Sequence, residues 1–124
     1  AERAAKPVLT VGVSTIFPAL LARKWLKPLV DERRVERLVC VEGRERELWE
    51  QLAVRRVDVV ISSGLPPPAM GLHAVELDRS PVALFGAAAF VRKYRGKLRR
   101  ALREAPMLVP SQESSARRVL DTWV

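Results

Sequence analysis

Three short, nearly unbroken apolar runs, VLTVGVS (8–14), LVCV (38–41) and VDVVIS (57–62), alternate with two stretches whose apolar residues recur at helical spacing. A run without polar alternation suits a strand covered on both faces, as in a parallel sheet. The order strand, helix, strand, helix, strand, with short joints, predicts two right-handed crossover units and therefore a parallel sheet under packed helices.

Between the first two runs, a helix is expected to start at Ser14 or Thr15, because either hydroxyl can cap it and Pro18 fits a first turn. Phe17, Leu20, Leu21, Trp25 and Leu26 form its apolar stripe, and Pro28 is expected to stop it near Leu26 or Lys27. Glu42 and Gly43 open the second helix. Leu48, Trp49, Leu52 and Ala53 point inward, and Arg44, Glu45, Arg46, Glu47, Glu50 and Gln51 make the wet face. Arg55 and Arg56 read as last-turn cations, favourable at a helix C-terminus.

After Gly64 the character changes. GLPPPAMG (64–71) has no periodicity, and its prolines make a stiff connector that reads as a lobe boundary. Residues 72–77 and 81–85 read as strands around the turn LDRSP, followed by a basic helical region to Arg103 that is interrupted at Gly96. Then come a short strand MLVP (107–110) and a last helix, capped by Ser111 or a neighbouring serine, with Ala116, Val119, Leu120 and Trp123 on its buried side. The organisation expected is a linker over 1–7, a first lobe over 8–65, and a crossing segment with a partial second lobe over 66–124.

A chain of 124 residues can bury roughly two thirds of its unfolded surface. No apolar run approaches the roughly 18 residues that span a bilayer, and AERAAKPVLT has no apolar core of the signal-peptide type. One cysteine and one histidine exclude an internal disulfide and a zinc cluster, and Cys40, inside RLVCVEG, reads as a buried, unreactive thiol. The net charge is +8 and uneven. Residues 1–63 carry twelve basic and nine acidic side chains, and residues 64–124 carry ten and five. Seven cations and no carboxylate lie between Arg92 and Arg103. Phe90, Tyr94, Leu98, Ala101 and Leu102 recur at helical spacing through that block, so the cations read as the solvated side of an amphipathic segment.

Ligands of parallel α/β sheets bind beyond the carboxyl ends of the strands. Three such ends carry small polar residues: Ser14 and Thr15, Glu42 and Gly43, Ser62 and Ser63. A fourth cluster, PSQESS (110–115), precedes the final helix. Nucleophilic catalysis lacks its parts, because there is no Gly-x-Ser-x-Gly elbow and His73, the only histidine, reads as a surface strand residue. No glycine-rich phosphate loop and no metal-ligand cluster occur, so a non-enzymatic binding role without a cofactor is expected.

Taken together, LTVGVS, a helix with an early proline, RLVCVEGRERELWEQLAVRRVDVVISS, a proline-rich crossing, LHAVELDRSPVALFGAAAFVRKYRGKL and APMLVPSQESSARRVLDTW resemble the effector-binding (substrate-binding) domain of LysR-type transcriptional regulators. More narrowly, residues 8–123 resemble the NhaR group, regulators of sodium/proton antiporter genes. The resemblance implies an α/β, type 2 periplasmic-binding-protein-like fold of two α/β lobes with an interlobe cleft, the second lobe incomplete in this chain. It also implies an effector-sensing, oligomerising (dimer or tetramer) part of a cytoplasmic activator, with no membrane partner, reaching promoter DNA only through an N-terminal winged helix-turn-helix missing here. By position it makes Ser14, Thr15, Glu42, Gly43, Ser62 and Ser63 effector-facing, with Ser111, Glu113 and Ser114 opposite them. The effector implied is a small carboxylate or sodium; where related sequences carry an acidic residue, this chain has Ser14 and Thr15. Two rival readings are a solute-binding protein of the same fold for a transporter and a basic nucleic-acid-binding module using residues 92–103, where Tyr94 is the one aromatic placed for stacking.

Overall fold

The computed structural model describes residues 6–81, 83–112 and 114–123. The chain divides into two compact units, Ala1–Ala74 and Val75–Val124.

The first unit is the expected parallel sheet. Strands β1 (Val8–Ser14), β2 (Arg37–Gly43) and β3 (Val59–Ile61) lie in the order β2-β1-β3, joined by helices α1 (Ala19–Asp31) and α2 (Glu45–Ala53). β1 pairs in parallel with β2 from Val8↔Arg37 to Ser14↔Gly43, and with β3 from Val11↔Val59 to Val13↔Ile61. A reciprocal contact pins the entry to β3: the Thr10 N–H donates to Asp58 Oδ2 at 2.9 Å, and the Asp58 N–H donates to the Thr10 carbonyl at 2.8 Å.

Alternation along β1 divides the core. Val11 and Val13 pack with Leu26 of α1 and Ile61 of β3, extended by Leu9, Phe17, Trp25 and Leu29. On the other face, Gly12 lets α2 approach: a Cβ there would lie 2.9 Å from Leu48 Cδ2 and 3.3 Å from Val60 Cγ2. Leu48 is fully buried as a result.

Helix boundaries differ from the sequence reading. Ser14 closes β1 and leads into a turn in which the Phe17 N–H donates to the Ser14 carbonyl at 3.1 Å, so α1 starts only at Ala19, with Pro18 as N-cap and no side-chain cap. Nor does Pro28 end α1. A proline withdraws its own N–H bond, and three more residues let Leu29 join the core, which offsets that loss. Glu42 and Gly43 end β2 instead of opening α2.

Both helices close with the same device. The Arg33 and Arg34 N–H groups donate to the Val30 and Leu29 carbonyls at 3.1 Å, and those of Arg55 and Arg56 to Leu52 and Gln51 at 3.0 and 2.8 Å. This is the Schellman pattern, with Arg33 (φ 53°) and Arg55 (φ 61°) in the left-handed position that glycine usually fills. Arg55 and Arg56 therefore lie in the closing turn rather than in the last helical turn.

Cys40 is exposed, contrary to the expectation of a buried thiol. β2 is an edge strand with β1 as its one neighbour in the sheet, so its apolar run is only half covered. The connector contains a 3₁₀ turn, Pro68–Met70, closed by Gly71 at φ 66°.

The second unit holds α3 (Ala88–Tyr94), α4 (Leu98–Glu104) and α5 (Ser115–Trp123). The interruption expected at Gly96 separates α3 from α4, with φ 73° at the glycine. The strands expected over 72–77, 81–85 and 107–110 do not form among the described residues, and Phe85 is 94% exposed. An apolar run becomes a strand only where a second backbone accepts its hydrogen bonds, and these runs have no such neighbour among the described residues. Leu102 is buried, whereas Val119 and Trp123, expected on the covered side of the last helix, are exposed. No helix among the described residues is long and apolar enough to cross a membrane.

Two stability predictions follow from this packing. Gly12→Ala should destabilise by about 1–3 kcal/mol and Leu48→Ala by about 2–5 kcal/mol, and in the double variant the Gly12→Ala cost should shrink as Leu48 no longer opposes the new methyl. Urea midpoints measure this cycle, and strict additivity would contradict the contact. Arg33→Gly and Arg55→Gly should each raise stability by roughly 1 kcal/mol by relieving the left-handed backbone; a lower urea midpoint in both would refute the cap assignment.

Candidate functional site at the carboxyl edge of the sheet

The register of β1 with its neighbours brings all three strand ends to one edge. Ser14 lies opposite Gly43, and Val13 lies between Glu42 and Ile61, the residue before Ser62. The Thr15 N–H donates to the Gly43 carbonyl at 3.1 Å and ties the first end to the second. Six expected residues, Ser14, Thr15, Glu42, Gly43, Ser62 and Ser63, are thus gathered in the first unit.

Their side chains have different roles. Ser14 is 3% exposed, and its hydroxyl accepts the Ile16 N–H at 3.3 Å. Ser62 Oγ accepts the Trp49 indole N–H at 3.3 Å and donates to the Gly64 carbonyl at 2.9 Å. These two serines shape the loops. Thr15, Glu42 and Ser63 face solvent.

Glu45 belongs to this edge, although its place in a charged run reads as the wet face of α2. Its Oε1 accepts both the Ser63 N–H at 2.5 Å and the Ser63 hydroxyl at 2.6 Å. Its Oε2 is buried without a hydrogen-bond partner among the described residues. The signal available in the sequence was a carboxylate in the first turn of a helix that follows a strand, a position that the helix dipole favours. The sequence had no means of pairing it with a residue eighteen positions later.

Thr15 and Glu42 also border a groove of about 730 Å³ between α1 and β2, whose walls include Leu26, Lys27, Leu38 and Cys40. Lys27 donates to Asp31 at 2.6 Å, and this hydrogen bond, with the Asp31 charge behind it, holds the ammonium above its ordinary pKa.

In the second unit, Ser114 occupies the N-terminus of α5. Its N–H donates to the Ser111 carbonyl at 3.0 Å, and its carbonyl accepts the Arg118 N–H at 3.1 Å. The Ser114 hydroxyl is buried and has no partner among the described residues, so the helix is capped through backbone and not by the serine side chain. Ser111 is exposed. Glu113 lies outside the described residues.

The first-unit edge presents the Thr15 hydroxyl and the Glu42 carboxylate to solvent, groups that can hydrogen-bond a small polar molecule. No group of three or more His, Cys, Asp and Glu able to hold a metal occurs among the described residues. The family model described as LysR substrate binding domain matches residues 2–124. No curated protein and no solved structure matches the chain.

The Glu45–Ser63 pair has a direct readout. Charge-assisted hydrogen bonds contribute about 1.5–3 kcal/mol, so Glu45→Ala should speed hydrogen exchange at the Ser63 amide by roughly tenfold to a hundredfold. Exchange in β1 should stay as it was. An unchanged Ser63 amide would remove Glu45 from the site.

Proposed function

The chain belongs to the LysR substrate-binding domain family, and on that premise we propose that it is the effector-sensing and oligomerising part of a LysR-type transcriptional regulator. Membership carries a regulatory rather than catalytic role and a periplasmic-binding-protein-like fold, and the α/β first unit with its small parallel sheet agrees with that fold. The observation that supports sensing is the convergence of three loops at the carboxyl edge of β1, β2 and β3, where parallel sheets receive ligands.

In this reading Thr15, Glu42 and Gly43 contact the effector, while Ser14, Ser62 and the Glu45–Ser63 pair hold the loops that present them. Ser111, Glu113 and Ser114 are assigned to the effector by family resemblance. Binding favours one of two arrangements of the regulator, and an N-terminal winged helix-turn-helix converts that preference into altered promoter binding. Self-association and a cytoplasmic location belong to the same proposal.

The effector class we favour is a small carboxylate. The exposed Thr15 hydroxyl can donate to an anion, whereas a hard cation needs several oxygen ligands, and Glu42 is the one solvent-facing carboxylate among the gathered strand-end residues. The narrower resemblance to the NhaR group makes sodium the rival effector.

The test is thermal stability of the full-length regulator with small carboxylates, sodium and lithium. A ligand at about a hundred times its dissociation constant should add about 2.7 kcal/mol of stability. Thr15→Val, an exposed substitution, should abolish that gain while leaving the ligand-free Tm in place. Stabilisation by sodium alone, or a carboxylate response indifferent to Thr15→Val, would overturn the assignment.

A further inference from the structure

The second unit contains a groove of about 860 Å³, open to solvent, that the effector reading does not use. Its walls carry Lys97, Arg99, Arg100 and Arg103 from the α4 segment and Trp123 from the end of α5. No acidic residue lines it among the described residues. The sequence sets Trp123 twenty residues beyond Arg103, so the cluster of cations around an indole exists only in the fold.

Of the four wall cations, Arg100 is paired with Glu104 and the other three have no carboxylate partner among the described residues. Among the described residues, Glu76 pairs with Arg79, Asp121 with Arg117 and Glu104 with Arg100, while Asp78 accepts the Arg79 backbone N–H. Lys97, Arg99 and Arg103 form no salt bridge among the described residues. Arg99 and Arg103 are one helical turn apart, close enough for the Arg103 Nε to donate to the Arg99 carbonyl at 3.4 Å. Like charges at this spacing repel, and an anion laid across them removes the penalty. Trp123 is 59% exposed. The aromatic within the basic block, Tyr94, already has the Lys93 ammonium 5.3 Å from its ring centre.

We propose that this groove is a docking surface for the phosphodiester backbone of duplex DNA, with Lys97, Arg99 and Arg103 on phosphates and Trp123 against the sugar edge. An open trough with spread cations suits a polymer of repeated anions better than one enclosed small anion. The lining has no Asn or Gln and its cations stand on exposed side chains, so the contact positions the protein on DNA without selecting a sequence. The choice of DNA among polyanions rests on the regulatory role proposed above, and the surface is additional to any helix-turn-helix of the regulator.

Filter-binding titration of the 124-residue chain with a mixed-sequence duplex tests it. Three phosphate contacts predict a slope of roughly −3 in log K against log salt between about 50 and 200 mM. The double variant Arg99→Ala/Arg103→Ala should lower the size of that slope by about 2 and weaken binding at low salt by roughly tenfold or more. Trp123→Ala should weaken binding with the slope unchanged, and the charge-conserving Arg99→Lys/Arg103→Lys should keep the slope. Arg55→Ala/Arg56→Ala, on the other unit, should change nothing. Absence of salt-dependent binding, an unaltered slope in Arg99→Ala/Arg103→Ala, or loss of the slope in the lysine variant would overturn the proposal. So would full displacement of DNA by stoichiometric inorganic pyrophosphate, which would mark a small-anion site. A protein that ignores DNA yet is stabilised by a carboxylate loses this inference alone, whereas DNA binding without any effector response leaves it standing.

Discussion

Strand β1 has a neighbour on each side and a helix over each face, and the first unit is organised around that double coverage. Val11 and Val13 pack under α1, and Gly12 packs under Leu48 of α2, so each helix covers one face of the same strand. Parallel pairing then fixes where the neighbours end. Because Ser14 meets Gly43 and Val13 meets Ile61, three loops reach one edge without any contact having to be built between them first. The shared edge is a by-product of strand register.

Within that edge, polar groups divide between support and display. Ser14 and Ser62 spend their hydroxyls on the Ile16 amide, the Trp49 indole and the Gly64 carbonyl. Glu45 takes both donors of Ser63. The part-buried bonds among these, from Ser14 and Ser62, help fix their loops, since breaking one leaves a polar group partly withdrawn from water. Thr15 and Glu42 face solvent, and their side chains make no hydrogen bond among the described residues.

The parallel sheet was legible in the sequence because continuous β-branched runs need cover on both faces. Its helix limits were not: Pro28 carries a stop signal, yet the apolar stripe continues to Leu29 and burial prevailed over propensity. Cys40 was misread because an apolar run cannot tell a central strand from an edge. The runs at 72–77, 81–85 and 107–110 were read as strands on composition, but strands depend on a partner backbone, which local sequence does not encode. Of the candidate site, the loop residues after each strand could be found from crossover topology, whereas Glu45 depends on a contact across eighteen residues and could not. Trp123 escaped for the same reason, since its neighbours lie on a different helix.

The three tryptophans occupy three unlike surroundings. Trp25 stands edge-on to Phe17 at 83° with ring centres 5.2 Å apart, Trp49 is buried with its N–H on Ser62, and Trp123 is largely in water. Indole emission follows the polarity around the ring, so the molecule carries its own optical probes: a blue-shifted one wired to the third loop of the sheet edge, a second over the α1 core, and a red-shifted one in the basic trough. Events at one end of the chain are therefore spectrally separable from events at the other without attaching a dye.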